Sequence, residues 1–318
     1  MIDESKAGQI VERIEKTIKK MKKDRPSLAI ILKTYRKVFA ERARLREELP
    51  LLKNVRISSP DSLRFSQGMT LVNEGIFPLS TDSLGGITDR MIPVLARAFP
   101  KIRPVLRKLK MALKKNQLDL RNCVEGMLHG RDEEIKQTAL RLGTDALTLE
   151  FIVSQLMKPI IERQAESLKS LLQKLSWHKG YCPVCGSFPE LSYLKEAEGQ
   201  RWLRCALCSH EWRFMRTKCP FCENEDTEKL ELCFVEDRAS ERAEMCHQCK
   251  RYLVSIDLRK YPYDFIPEVA AVGTMYLDVL AQEKGFLPVA ESASNLVSDR
   301  GVSQEGTDTN DPKSQRPG

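Results

Sequence analysis

Through residues 1–180 the apolar positions recur every three or four residues; after residue 180 they fall into short runs bounded by turns. Ile10, Val11, Ile14, Ile18 and Met21 predict an amphipathic helix over residues 5–24. Lysines at 19, 20, 22 and 23 close it, where cations favour the helix dipole. After Pro26, the residues Leu28, Ile31, Leu32, Tyr35 and Phe39 predict a second helix from Ser27 to about Leu45. Residues 49–82 are less regular, and Phe77-Pro78-Leu79 reads as a buried crossing or part of a groove. Further helices are expected from Ser83 or Ile87 to Ala98, over Lys101–Lys115, over Asp132–Leu142, and from Asp145 to about Gln173. Pro159 is expected to bend the last of these or split it in two. No β-rich run precedes residue 180, so residues 1–180 are expected to form an all-helical domain with its own apolar core.

Beyond it the pattern changes. Phe188–Leu194 reads as a strand, Lys195–Gln200 as a turn, and Trp202-Leu203 as the return; Trp212–Met215 is a third run. The same plan repeats as Leu230–Val235, Asp237–Ser240, Arg242–Met245 and Tyr252–Ile256. Residues 181–217 and 218–259 thus look like one small module written twice. A last helix is expected from about Pro267 to Glu283, within a C-terminal segment 260–290. Residues 291–318 are nearly devoid of apolar side chains, and 294–318 is expected to be a disordered tail.

Each module is framed by two Cys-x-x-Cys knuckles: Cys182/Cys185 with Cys205/Cys208, and Cys219/Cys222 with Cys246/Cys249. Eight thiolates supply two four-coordinate, all-sulfur sites, a donor set that suits zinc or a rubredoxin-type iron. Sequential pairing is expected; a cross-braced pairing, first knuckle with third and second with fourth, is the alternative. Modules this small bury little core, so the metal is expected to supply much of their folding free energy, on the order of 10 kcal/mol per site. Cys123 and Cys233 lack a knuckle partner and read as packing residues. His178, His210 and His247 lie near the knuckles but are surplus to eight cysteines.

The chain carries a formal net charge of +8, and residues 1–58 contain 16 Lys/Arg against 8 Asp/Glu, an excess equal to that of the whole. Lys101–Lys115 adds a basic amphipathic stretch without an acid, which reads as an ordinary exposed helix or a face for phosphate, membrane or acidic protein. No 18-residue apolar run is present and residues 1–16 have no secretory h-region, so a cytoplasmic protein with reduced cysteines is expected.

The metal stretch resembles the formate dehydrogenase accessory protein family, FdhE. The likeness is carried by Tyr181-Cys-Pro-Val-Cys-Gly-Ser-Phe-Pro189, Arg201-Trp-Leu-Arg-Cys-Ala-Leu-Cys208, Glu211-Trp212, Arg216-Thr-Lys-Cys-Pro-Phe-Cys222 and Arg242-Ala-Glu-Met-Cys-His-Gln-Cys249. Tyr252–Asp257 and Leu277–Glu283 with Gly285 also fit. The resemblance implies a helical domain, then two tandem rubredoxin-like or zinc-ribbon-like modules and a C-terminal helix. It implies two metal ions, iron or zinc, each held by four of the eight knuckle cysteines. It also implies a chaperone-like accessory protein, not itself an enzyme, that binds the catalytic subunit of a molybdenum or tungsten formate dehydrogenase in the cytoplasm. Arg201, Trp202, Arg216 and Arg242 are the candidate partner-binding residues. Where many members carry Asp-Asp before the last helix's Leu-Ala run, this chain has Ala270-Ala271.

Two other functions compete. A metal-ribbon nucleic-acid binder is opposed by the acids scattered through 181–257, including Glu190, Glu196, Glu198, Glu223, Glu225, Asp226, Glu228 and Glu231, and no nucleic-acid partner is expected. A rubredoxin-like electron carrier requires iron and is excluded by zinc.

Overall fold

The computed structural model describes residues 5–51, 60–77, 80, 82–129, 131, 133–292 and 295–296. Pro78, Leu79 and Asp132 lie outside them, as does the expected tail apart from Asn295 and Leu296.

The helical part runs α1 (Lys6–Asp24), α2 (Ala29–Glu48), α3 (Ser62–Ser66), α4 (Leu84–Ala98), α5 (Arg103–Lys114), α6 (Leu120–Leu128), α7 (Glu133–Leu142), α8 (Ala146–Ser167) and α9 (Lys169–Leu172). Local chemistry sets several starts. The Ser5 hydroxyl accepts from the Gly8 amide, and Asp61, Asp119 and Asp145 cap α3, α6 and α8 through their carboxylates. Helix α8 is buried along most of its length by α2, α4, α6 and α7. Pro159 does not split it: the helix continues to Ser167 and yields only at Leu168. Packing on several sides holds the rod together where one backbone hydrogen bond is missing.

The second half is one sheet. Strands β1 (Pro189–Lys195), β2 (Gln200–Cys205), β3 (Glu211–Arg213), β4 (Leu230–Cys233), β5 (Glu241–Cys246) and β6 (Arg251–Asp257) lie in the order β3-β2-β1-β6-β5-β4, and β7 (Leu287–Pro288) pairs with β6. Each module is an antiparallel three-strand unit. They fuse where β1 and β6 pair in parallel, Ser192 opposite Ser255 and Tyr193 opposite Ile256. The expected last helix is two helices, α10 (Pro267–Gly273) and α11 (Met275–Glu283). Between them Thr274 turns its hydroxyl back onto the Ala270 and Ala271 carbonyls, a side-chain bond that competes with the regular ladder.

The separate core expected for residues 1–180 is not what the structure has. One apolar cluster runs from Leu45, Leu95 and Leu156 through Cys182, Val184 and Leu203 to Trp212. The loop after α3 fixes the join: the Leu71 amide donates to the Pro183 carbonyl at 3.0 Å and the Val72 amide to that of Val184 at 2.9 Å. A second cluster lies between the sheet and α11, with Tyr252, Ile256 and Leu277 at its centre. A third packs α1 and α2 on α10 through Met21, Leu32 and Val269. No helix among the described residues is long and apolar enough to cross a membrane.

Candidate metal centres

Every knuckle closes in the same way. The amide of the residue after the second cysteine donates to the carbonyl of the first: Gly186 to Cys182, Ser209 to Cys205, Glu223 to Cys219 and Lys250 to Cys246. Those four residues all have positive φ, between 57° and 75°. Only the first is a glycine, so the other three hold a left-handed backbone that the knuckle enforces. In the first centre the Leu207 and Cys208 amides lie 3.4 Å from the Cys205 sulfur.

The sulfurs group sequentially. Cys182, Cys185, Cys205 and Cys208 form one set, and Cys219, Cys222, Cys246 and Cys249 the other, each with all four sulfurs within 4.8 Å of one another. In the first set Cys182 and Cys208 are 3.5 Å apart, Cys185 and Cys205 3.4 Å, and Cys185 and Cys208 3.6 Å. In the second, Cys219–Cys249 and Cys222–Cys246 are both 3.7 Å. A tetrahedral group with metal–sulfur bonds of about 2.3 Å sets its sulfurs about 3.8 Å apart, so both sets fit such an ion. Burial, and then the neighbouring sulfurs, push the Cys182 and Cys208 thiols well up. Four thiolates this close and dry repel one another, and a cation at their centre removes that cost. Because each set offers four sulfurs, the ion it holds keeps no open position for water or substrate.

The other candidates lie elsewhere. Cys123 is buried in α6 and Cys233 is half-buried on β4; neither joins a sulfur set. His210 is driven down to about 4 by burial, and His247 pairs with Glu231 at 2.8 Å. Arg201, expected at a partner surface, is 3% exposed. Its guanidinium donates to the Met215 and Lys218 carbonyls and pairs with Glu244. Trp202 is half-buried beneath the Lys195 ammonium, which sits 3.6 Å from its ring centroid. Arg216 is exposed and Arg242 half-buried. Ala270 is buried and Ala271 half-buried.

Sequence reasoning missed a buried charge network where the helices meet the first module. Arg204 donates to Glu268 at 2.7 Å and bonds Glu190; Glu162, within 3.9 Å of it, accepts from Ser209 at 2.6 Å and from Arg42 at 3.4 Å. Burial alone would raise Glu268, but Arg204, then Arg42 and Lys158, hold it down at about 2. A second buried pair, Arg25 with Glu241, ties the end of α1 to β5. These partners are far apart in sequence, so no local pattern joins Arg204, in a knuckle flank, to Glu162 or Glu268.

The comparisons agree with this architecture. A family model described as FdhE, central domain, matches residues 181–216. A protein of Aquifex aeolicus named Protein FdhE homolog is 34% identical over 144 residues, covering 44% of this chain and 50% of that protein. One from Haemophilus influenzae is 38% identical over 109 residues, 33% of this chain and 35% of its own length. Against these two the chain therefore aligns over half of the relative's length or less. One from Haemophilus ducreyi is 28% identical over 223 residues, 68% of each. The crystal structure of the FdhE protein from Pseudomonas aeruginosa has the same fold: TM-score 0.64 at 20% identity, over 92% of this chain and 97% of that one. The chain is thus similar to FdhE proteins, in sequence most clearly across its metal modules and in fold over most of its length.

Proposed function

We propose that this protein is a cytoplasmic accessory protein, not itself an enzyme, that binds the catalytic subunit of a molybdenum or tungsten formate dehydrogenase during its maturation and is needed for that enzyme's activity. The observation that carries the reading is the pair of all-sulfur sets, each with four donors and no open position, built into one continuous sheet. Such sites hold a shape rather than turn over a substrate, and the shape they hold is a broad sheet braced by helices. The metal in both is zinc or iron, with a structural role. Four cysteine donors also accept iron, so electron transfer is the second reading; a colourless zinc protein rules it out.

The test is affinity capture from the native host with mass spectrometry, with and without nuclease. Recovery of a molybdenum- or tungsten-enzyme subunit that survives nuclease is expected. Capture of nucleic acid, or of RNA-processing proteins lost on nuclease treatment, would instead identify a nucleic-acid binder.

A further inference from the structure

The two faces of the second module's sheet are treated differently. One face, with Met245, Tyr252 and Val254, packs under α11. On the other, register aligns Leu232, Glu244 and Leu253 in a row, with Leu230 and Arg242 on the same side. The segment Arg216–Cys219 leaving the first module walls this face, and together they enclose a groove of about 300 Å³, at the lower end of ligand-pocket sizes. It is apolar along its floor and cationic along its wall.

Most of the charge in the groove is already matched. Glu244 takes Arg201, Glu291 takes Arg251, and Glu223 and Glu225 take Lys218. The groove carboxylate Glu231 is engaged by His247 and Lys284. The remainder is Arg216 and Arg242, neither of which has an ion pair among the described residues. Asp257, which feels Arg242, has its oxygens bound by Arg259. In addition, the Nε–H groups of Arg201 and Arg242 are buried without an acceptor. A buried donor left unpaired is costly, and both arginines belong to the lining of this groove.

We propose that this inter-module groove is a binding site for an extended acidic peptide segment whose carboxylates meet Arg216 and Arg242, and whose apolar side chains lie on Leu230, Leu232 and Leu253. As a client-docking site it rests on the function proposed above; as a peptide site it stands alone. Because Cys219 and Cys246 also line the groove, an occupant shields the second centre.

The test uses the full chain with both centres loaded. The probes are fluorescein-labelled octapeptides of alternating Glu and Leu, or Lys and Leu, followed by fluorescence anisotropy. The Glu-Leu peptide should bind saturably, weaken with salt, and slow release of about one metal equivalent to a chelator. Arg216→Glu with Arg242→Glu should weaken it at least ~10-fold at unchanged metal content, about 1.4 kcal/mol, while Arg107→Glu on α5 should not. If the double variant loses metal, Arg216→Ala alone, at an exposed site, decides with a smaller but measurable weakening. No saturable binding, equal binding by the variants, or equal binding of the Lys-Leu peptide would overturn the site. If wild-type protein captures formate dehydrogenase and the groove variants capture it equally, the groove fails and the function stands. If the peptide binds in the groove but no such subunit is captured, the function fails and the groove stands.

Discussion

At the first centre all four cysteines are buried, and the same apolar cluster that surrounds them contains Leu95 of α4 and Leu156 of α8. At the second, Cys222 and Cys249 are half-buried, and no cysteine of the set belongs to an apolar core. The knuckle backbone is the same in both, down to the positive φ after each second cysteine. The difference lies in what each centre supports. The first is a cornerstone shared by helices and sheet; the second organises the outer strands of the sheet.

The largest effect should follow Cys182→Ser with Cys185→Ser. One metal equivalent is lost, and with it stabilisation on the order of 10 kcal/mol, comparable to the whole stability of a domain. Because the core crosses residue 180, the helical circular-dichroism signal should melt at lower temperature together with the sheet. Unchanged helical melting would break the contrast. Cys246→Ser with Cys249→Ser should also cost one equivalent but leave helical melting within a few degrees. A chelator should accordingly empty the wild-type protein in two phases, and the fast phase should be missing from the second variant. Removal in a single phase would mean the two surroundings do not matter.

The seam offers a smaller lever. Arg204→Met takes from the half-buried Glu190 and Glu268 their nearest cation while Lys158 and Arg42 remain, and should cost about 1–3 kcal/mol in denaturant unfolding. Arg216→Ala on the exposed wall should stay within about 0.5 kcal/mol. A pH effect lies under α11. Burial pushes Asp278 up to about 7, although the Tyr252 hydroxyl donates to it at 2.7 Å. A carboxyl raised in the folded state favours folding below its ordinary value and loses that contribution as pH rises through about 7. Asp278→Asn should therefore flatten the fall in stability between pH 4 and 8 by on the order of 1–3 kcal/mol.

The sequence was legible where the information was local. Knuckle spacing, the alternation around Tyr193 and Leu203, and the 3–4 spacing of Ile14, Ile18 and Met21 each lie within one element, and each element forms where its pattern puts it. What could not be read was long-range. Nothing in β1 or β6 alone announces that Ser192 faces Ser255 in parallel, merging two repeats into one sheet. Nothing near Leu71 announces its bond to Pro183. Thr274 is a weak helix breaker whose effect depends on its hydroxyl turning inward, and Pro159 is a strong one overridden by packing. Arg201 reads as a surface anchor from its residue type; its burial follows from the Met215–Lys218 segment folding back over it.

The central claim is that each chain holds two metal ions, each closed by four sulfurs in sequential pairs. Elemental analysis combined with X-ray absorption of the purified protein tests it most directly. The account predicts about two equivalents and a first shell of sulfur alone at about 2.3 Å. One equivalent, or nitrogen or oxygen ligands at about 2.0–2.1 Å, would contradict it.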